Sequence, residues 1–261
     1  MSALITLLTD FGYQDAYVGV MKGVIVSICQ SVRILDLTHA VPPQNIAAAR
    51  FTLLTAVPYF PPGTIYVVVV DPGVGTERRA IAIQTPTGYF VGPDNGVFGD
   101  VVDDWKISAV VSLTQPCYWR TPAPSKTFHG RDVFAPVAAH LAAGVPLANL
   151  GTAIPVESLV KIAIPAPTIT ATSAIGHVQH IDRFGNLITT LPASVVHQRL
   201  WKIHVGSVEI SLGQTYGDVP LRHPLALVGS HGWLEIAVNG GSAQQRFQLT
   251  VGDAIQLQVD P

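Results

Sequence analysis

The chain is poor in charge. Lys, Arg, Asp and Glu make up 12% of its 261 residues, and the formal balance is −2. Beside 48% apolar residues, this excludes a disordered protein and supplies ample material for a core. Near-neutrality leaves no electrostatic footprint for nucleic acid or for an acidic lipid surface. Only two cysteines occur, Cys29 and Cys117, far apart and in apolar surroundings. They are too few for a secreted disulfide scaffold and lack metal-ligand spacing, so both read as reduced core residues. No run of about 18 uninterrupted apolar residues occurs, so no membrane span is expected. The opening MSALITLLTDFG lacks a basic n-region and reads as a first core strand, not a signal peptide. A cytoplasmic protein is expected.

What is present divides into two textures. Up to residue 163, strand-like and helix-like segments alternate. Strands are expected at Leu4–Leu8, Val32–Leu37, Ile65–Val70, Ala80–Gln84, Tyr89–Val91 and Val110–Leu113, and helices at Ala16–Cys29, Asn45–Val57 and Asp132–Ala143. Ile65–Val70 is apolar on both faces, as a central parallel strand should be. The alternation predicts an α/β domain over 1–163 with a largely parallel sheet. The stretch from Ile164, IPAPTITATSA, is Pro/Thr/Ala-rich without helical period and reads as a linker over 164–174. Over 175–261 short β segments dominate, including Phe247–Leu249 and Ala254–Val259. Gly-containing turns separate them, which predicts a smaller all-β, barrel-like domain.

Three apolar strands run directly into polar residues at their carboxyl ends: Thr9-Asp10, Thr38-His39 and Asp71-Pro-Gly-Val-Gly. In open α/β sheets ligands bind beyond those ends, so the three tips suggest a shared rim. DPGVGTERR reads first as a turn, since Asp-Pro-Gly is good turn chemistry. A phosphate cradle is a second reading, but the spacing and the Lys-Ser/Thr of a P-loop are missing. A third brings Asp71 and Arg78, seven residues apart, back into one pocket. In TFHGRDVFAP, His129 just precedes a helix; it reads either as a structural partner or as a group that meets a ligand.

DFG at Asp10–Gly12, VDPGVGT at Val70–Thr76, PDNG at Pro93–Gly96, TFHGRD at Thr127–Asp132 and HIDRFGN at His180–Asn186 together resemble one family. It is the S-adenosylmethionine hydroxide adenosyltransferases, relatives of fluorinase and chlorinase, and the resemblance spans essentially the whole chain. It implies hydrolysis of S-adenosyl-L-methionine to adenosine and L-methionine, with a catalytic set of Asp71, Arg78 and His129. The halogenating relatives carry Tyr at the positions of Asp71 and His129, and their long insertion is missing after Gln84. Both features favour hydroxide over halide. The resemblance further implies that Asp10 grips the ribose hydroxyls and that Asp15 and Asp182 take the substrate's ammonium. Asn186 and backbone near Val238 would hold adenine, and Ser230 the carboxylate. Gln44 stands where the fluorinase has Trp, and His231 where it has Arg. A homotrimer with sites shared between neighbouring subunits is implied as well.

Water has a pKa of about 15.7 and needs a metal or fixed charges to become a nucleophile. The His and Asp residues lack ligand spacing such as HExxH, so neither metal nor cofactor is expected. Arg78 and a His129 donor would then stabilise hydroxide while Asp71 accepts a proton or orients the water. Alternatives are a non-catalytic nucleoside sensor, a halide-dependent adenosyltransferase, and a metal-dependent hydrolase using Asp10, His39, Asp71 and His129.

Overall fold

In a computed structural model, the described residues are 2–99, 105–197, 199 and 201–259. The chain divides into two compact units, one ending at Ile162 and the other beginning at Ala163.

The first unit is built on seven strands: β1 (Leu4–Thr9), β2 (Arg33–Thr38), β3 (Thr64–Val69), β4 (Ala80–Thr85), β5 (Gly88–Pro93), β6 (Ala109–Ser112) and β7 (Thr152–Ala153). They lie in the order β2-β1-β3-β5-β4-β6-β7. Pairing is parallel from β2 through β1 and β3 to β5, and antiparallel from β5 through β4 and β6 to β7. The sheet is therefore mixed, with a parallel core. Only Pro86 and Thr87 separate β4 from β5. Two residues suffice for a hairpin, whereas a parallel crossover needs a dozen or so.

The apolar runs of β1 and β3 are explained by cover on both faces. Ile65, Val67 and Val69 join a core with Ile5, Leu7, Met21 and Ile25, while Tyr66, Val68 and Val70 join another with Leu8, Ala49 and Leu53. Because side chains alternate along a strand, one continuous apolar segment feeds both layers. Met21 and Ile25 lie on α1 (Tyr17–Ile28), and Ala49 and Leu53 on α2 (Ile46–Ala56). Asn45 caps α2 by accepting the Ala48 N–H at 2.9 Å. The helix expected over Asp132–Ala143 forms as a π-helical turn, Gly130–Phe134, running into α3 (Ala135–Ala142).

The second unit contains β8 (Thr168–Ile169), β9 (Ser173–Ile181), β10 (Leu187–Pro192), β11 (Trp201–Val205), β12 (Val208–Ile210), β13 (Pro224–Val228), β14 (Trp233–Val238) and β15 (Ala254–Val259). All its named strand pairs are antiparallel, in the order β12-β11-β15-β9-β10-β14-β13, with β8 on β9. A bridge between Leu212, just beyond β12, and Ala226 on β13 nearly closes the sheet into a barrel. The interior holds Leu187, Leu234, Ile236, Ile203 and Leu257.

Several local expectations change. Residues 168–169 and 173–174, within the stretch read as a linker, pair as strands of the second unit. Phe247–Leu249 is not a strand: Ser242 accepts the Gln245 N–H and starts the short helix α5 (Ala243–Phe247), which Gln248 ends in the left-handed region. A Ser cap followed by Ala-Gln-Gln-Arg outweighs the β preference of one Phe. α4 (Ala193–Val196) is another short helix, directly after β10. Cys29 is buried as expected, but Cys117 is exposed, in the turn Pro116–Tyr118. No helix of the described residues is long and apolar enough to cross a membrane.

Candidate active site

The parallel strands deliver their carboxyl ends to one rim, and a cavity of about 280 Å³ opens there. Asp10, Gln44, Asp71, Thr127, Phe128 and His129 all contribute to its wall. Three loops bring them together, and each is tied down by its own chemistry.

The loop after β1 carries Asp10. Its Gly12 N–H donates to the His39 carbonyl at 2.8 Å, and the fully buried His39 ring meets Thr9 Oγ1 through Nδ1 at 2.8 Å. His39 thus fastens the Asp10 loop and is absent from the residues lining the cavity. Gln44 adopts φ 64°, a left-handed conformation that costs a non-glycine residue roughly 1–2 kcal/mol. In return its N–H donates to Asp10 Oδ2 at 2.7 Å, which fixes the carboxylate and leaves Oδ1 for a ligand.

The loop after β3 folds back on itself. Val74 N–H donates to Asp71 O at 3.2 Å, and Thr76 N–H and Oγ1 both donate to Gly73 O. These turns return Arg78 to Asp71. Arg78 Nε donates to Asp71 Oδ1 at 2.8 Å while Nη2 donates to Oδ2, a bidentate pair. Arg78 Nη2 also donates to His129 Nδ1 at 2.9 Å. Guanidinium has no acceptor, so His129 Nδ1 carries no proton and its remaining N–H is on Nε2. Burial, then the neighbouring Arg78 charge, hold the His129 pKa below its ordinary value. Neutral imidazole is the form the geometry demands. Asp71 and His129 line the cavity, whereas Arg78 sits behind them, its guanidinium 5.3 Å over the Phe134 ring.

The third loop carries Thr127, Phe128 and His129. The fully buried Asp132 anchors it, accepting Ser125 N–H at 2.9 Å, Arg120 Nε at 2.7 Å and Arg131 Nε at 2.7 Å. These partners, Arg131 foremost, hold its carboxyl well below the usual range. Gly75 presses the second loop against the third: with φ 75°, a Cβ there would strike the Lys126 carbonyl. Phe128 also packs edge-on against Phe11 at 5.8 Å and Tyr17 at 5.1 Å, linking the first and third loops.

The remaining candidates lie elsewhere. Asp15 is exposed two residues before α1 and is not among the residues lining the cavity. In the second unit, a cavity of about 450 Å³ is lined by Phe184, Asn186, Tyr216, Val238, Gly240 and Gly241. Asp182 fastens its turn, with Oδ1 accepting Phe184 N–H at 2.9 Å and Asn186 N–H at 2.8 Å, and Oδ2 accepting Asn186 Nδ2 at 3.0 Å. Ser230 is exposed in the Gly229–Gly232 turn, outside that cavity's lining.

His231 is engaged at both ring nitrogens. Its Nδ1 accepts Trp233 N–H at 3.2 Å and its Nε2 meets Glu235 Oε2 at 3.1 Å. Glu235 and Tyr216 carried no sequence expectation; Tyr216 OH donates to Glu235 Oε1 at 2.8 Å. Burial and Glu235 push the Tyr216 phenol up to about 12. The available signal for this cavity was Phe184, an aromatic set between Arg and Gly-Asn in a polar turn; it is 76% exposed. Among the described residues, no group of three or more His, Cys, Asp or Glu is gathered as metal ligands.

Comparison with known proteins agrees with this division. Residues 5–151 match the model of the SAM hydroxide adenosyltransferase N-terminal domain, and residues 176–256 that of the corresponding C-terminal domain. A Thermus thermophilus protein named (R)-S-adenosyl-L-methionine hydrolase is 41% identical over 96% of this chain and 97% of its own. A fluorinase from Actinopolyspora mzabensis is 26% identical over 97% of this chain and 96% of its own. The crystal structure of an uncharacterized conserved protein from Thermotoga maritima superposes with a TM-score of 0.89 at 38% identity, covering 97% of this chain and 99% of that one. With both domain models matched in order and a relative this similar along nearly its whole length, the chain belongs to the SAM hydroxide adenosyltransferase family.

Proposed function

We propose that the chain hydrolyses S-adenosyl-L-methionine to adenosine and L-methionine, with water-derived hydroxide attacking ribose C5′. The observation that carries this reading is the Asp71–Arg78–His129 arrangement at the rim cavity. The substrate's sulfonium is already a good leaving group, so the protein's task is to prepare the nucleophile. Arg78 locks Asp71 and His129 from behind, leaving an acceptor carboxylate and an Nε2–H donor to organise one water between them. As the C5′–O bond forms, the C5′–S bond breaks and its electron pair returns to sulfur, giving a neutral thioether. Within the set the water proton has one acceptor, Asp71, because His129 Nδ1 is already engaged by Arg78. Attack of an anion on a cation cancels charge, which a cavity poor in water favours.

In this reading Asp10 Oδ1 takes the ribose hydroxyls, and Asn186 with backbone near Val238 takes adenine. Asp15 and Asp182 receive the ammonium and Ser230 the carboxylate. No cofactor or metal is used, and the reaction belongs to the cytoplasm. The substrate site is completed between subunits of a homotrimer, the first domain of one copy meeting the second domain of its neighbour.

Chromatography of products after incubation with S-adenosylmethionine and no added halide tests the activity. Adenosine and methionine are expected, undiminished by a chelator. Unchanged substrate indicates a sensor, and preferential 5′-chloro-5′-deoxyadenosine at high chloride indicates a halogenase. The assembly is tested by co-expressing an Asp71→Asn chain with an Asp182→Ala chain and assaying at substrate far below KM, where the Asp182→Ala chain alone is expected to be at least about tenfold slower than wild type. Random mixing restores about a quarter of intersubunit sites. Zero recovery from demonstrably mixed oligomers contradicts the shared site.

A further inference from the structure

Glu235 is a strongly buried carboxylate outside the chemistry above. It lies in the middle of β14 and is only 4% exposed. Its flanking residues Leu234 and Ile236 point into the barrel interior, so Glu235 points to the outer face. Register places it beside Ile188 of β10 and Leu227 of β13, and Ile188 in turn beside His180 of β9. A buried carboxylate flanked by Ile188 and Leu227 is costly unless both oxygens are used. Both are: Oε1 accepts the Tyr216 hydroxyl at 2.8 Å, and Oε2 receives the His231 imidazole at 3.1 Å.

The two partners belong to different segments. Tyr216 sits in a one-turn helix, Tyr216–Asp218, whose capping box joins Thr215 and Asp218, and its ring forms part of the wall of the 450 Å³ cavity. His231 sits in the Gly229–Gly232 turn next to Ser230. Its tautomer is set by the chain, because the Trp233 N–H occupies Nδ1 and leaves the Nε2 proton for Glu235. The turn is pressed onto this pair: a Cβ on Gly229 would strike the His231 ring and come within 2.8 Å of Glu235 Oε2.

We infer that Glu235 is a positioning residue that sets substrate affinity, aiming the Tyr216 ring and the Ser230 turn from beneath while touching no substrate atom. The inference rests on reading this cavity as the seat of the substrate's nucleoside end. It separates geometry from charge. In Glu235→Gln the amide can still serve both partners, its carbonyl accepting His231 Nε2–H and its NH2 donating to the phenol oxygen. In Glu235→Met volume is kept and both bonds are lost.

Steady-state kinetics with S-adenosylmethionine test this. One or two lost hydrogen bonds correspond to a roughly three- to tenfold effect. Glu235→Met is therefore expected to raise KM about tenfold with kcat changed less than about threefold, while Glu235→Gln stays within about threefold of wild type in both. Tyr216→Phe, which keeps the ring and removes only the hydroxyl, is expected to raise KM about threefold. A folded Glu235→Met protein with wild-type KM overturns the inference, as does Glu235→Gln as impaired as Glu235→Met. If Glu235→Met does not fold, a wild-type KM in Tyr216→Phe overturns it. Absence of turnover by the wild-type protein counts against the hydrolase reading instead. Adenosine binding by calorimetry on the same variants then decides the positioning role by the same ordering.

Discussion

The two units solve the burial of charge in opposite ways. At the rim of the α/β unit, charge is answered by charge: Arg78 chelates Asp71 and holds neutral His129, and Arg120 and Arg131 answer Asp132. In the β unit, among the described residues, neither Asp182 nor Glu235 meets an Arg or Lys in its hydrogen bonds. Asp182 takes two backbone N–H groups and an amide, and Glu235 takes a phenol and the His231 imidazole. A preorganised ionic set suits a step in which charge develops or disappears. Neutral, aromatic walls suit recognition of a flat polar ligand. On the proposed reading the Asp71–Arg78–His129 set serves turnover and the β-unit cavity serves affinity, so substitutions in each should move different kinetic constants.

The largest expected effect comes from breaking the ionic set. Arg78→Ala strands buried Asp71 and frees His129, so kcat is expected to fall at least about a hundredfold with little change in KM. Arg78→Lys cannot reproduce the bidentate fork and should recover little of it. A rise in KM with unchanged kcat in Arg78→Ala would erase the division of labour.

Asp182→Ala probes the other side. Losing the acceptor that holds Asn186 and the Phe184 backbone is expected to raise KM about tenfold, with kcat within about threefold. A dominant kcat defect at saturating substrate would place Asp182 with the chemistry.

A smaller, mixed effect is expected from Gly75→Ala. The left-handed φ and the Lys126 contact should lower stability by at least about 1 kcal/mol. The neighbouring Asp71 and His129 loops then shift apart, and kcat falls several-fold before KM moves. Denaturant melts paired with kinetics check it.

The mildest effect is on pH dependence. Burial and Arg78 disfavour imidazolium at His129, so its folded pKa lies below the ordinary 6.5. The neutral form, and any stability it contributes, is fully present above about pH 6.5 and is lost as pH falls through the lowered folded value. Activity should therefore hold through neutral pH and decline only on further acidification. An acid limb of kcat centred above about 6.5 would contradict the assigned His129 state.

Much of this was legible in the residues. Ile65–Val70 announced a doubly covered strand, and Ala254–Val259 formed with the expected bounds. The strand tips at Asp10 and Asp71 pointed to one rim. His39 stood at a third tip, yet a side chain's direction depends on packing, and its ring turned to Thr9. Glu235 was invisible for a similar reason. In WLEIAV the alternation reads Glu as solvent-facing, and it is buried by a loop 19 residues earlier carrying Tyr216. Long-range cover of this kind leaves no periodic trace. The antiparallel edge of the first sheet was readable in principle, because Pro86-Thr87 is too short for a crossover.

Hydroxide attack on carbon is tested most directly by running the reaction in water labelled with heavy oxygen and examining adenosine by mass spectrometry. The label is expected in the 5′-hydroxyl, one oxygen per turnover. Adenosine formed without label would contradict attack by water at C5′, and with it the role given to Asp71, Arg78 and His129.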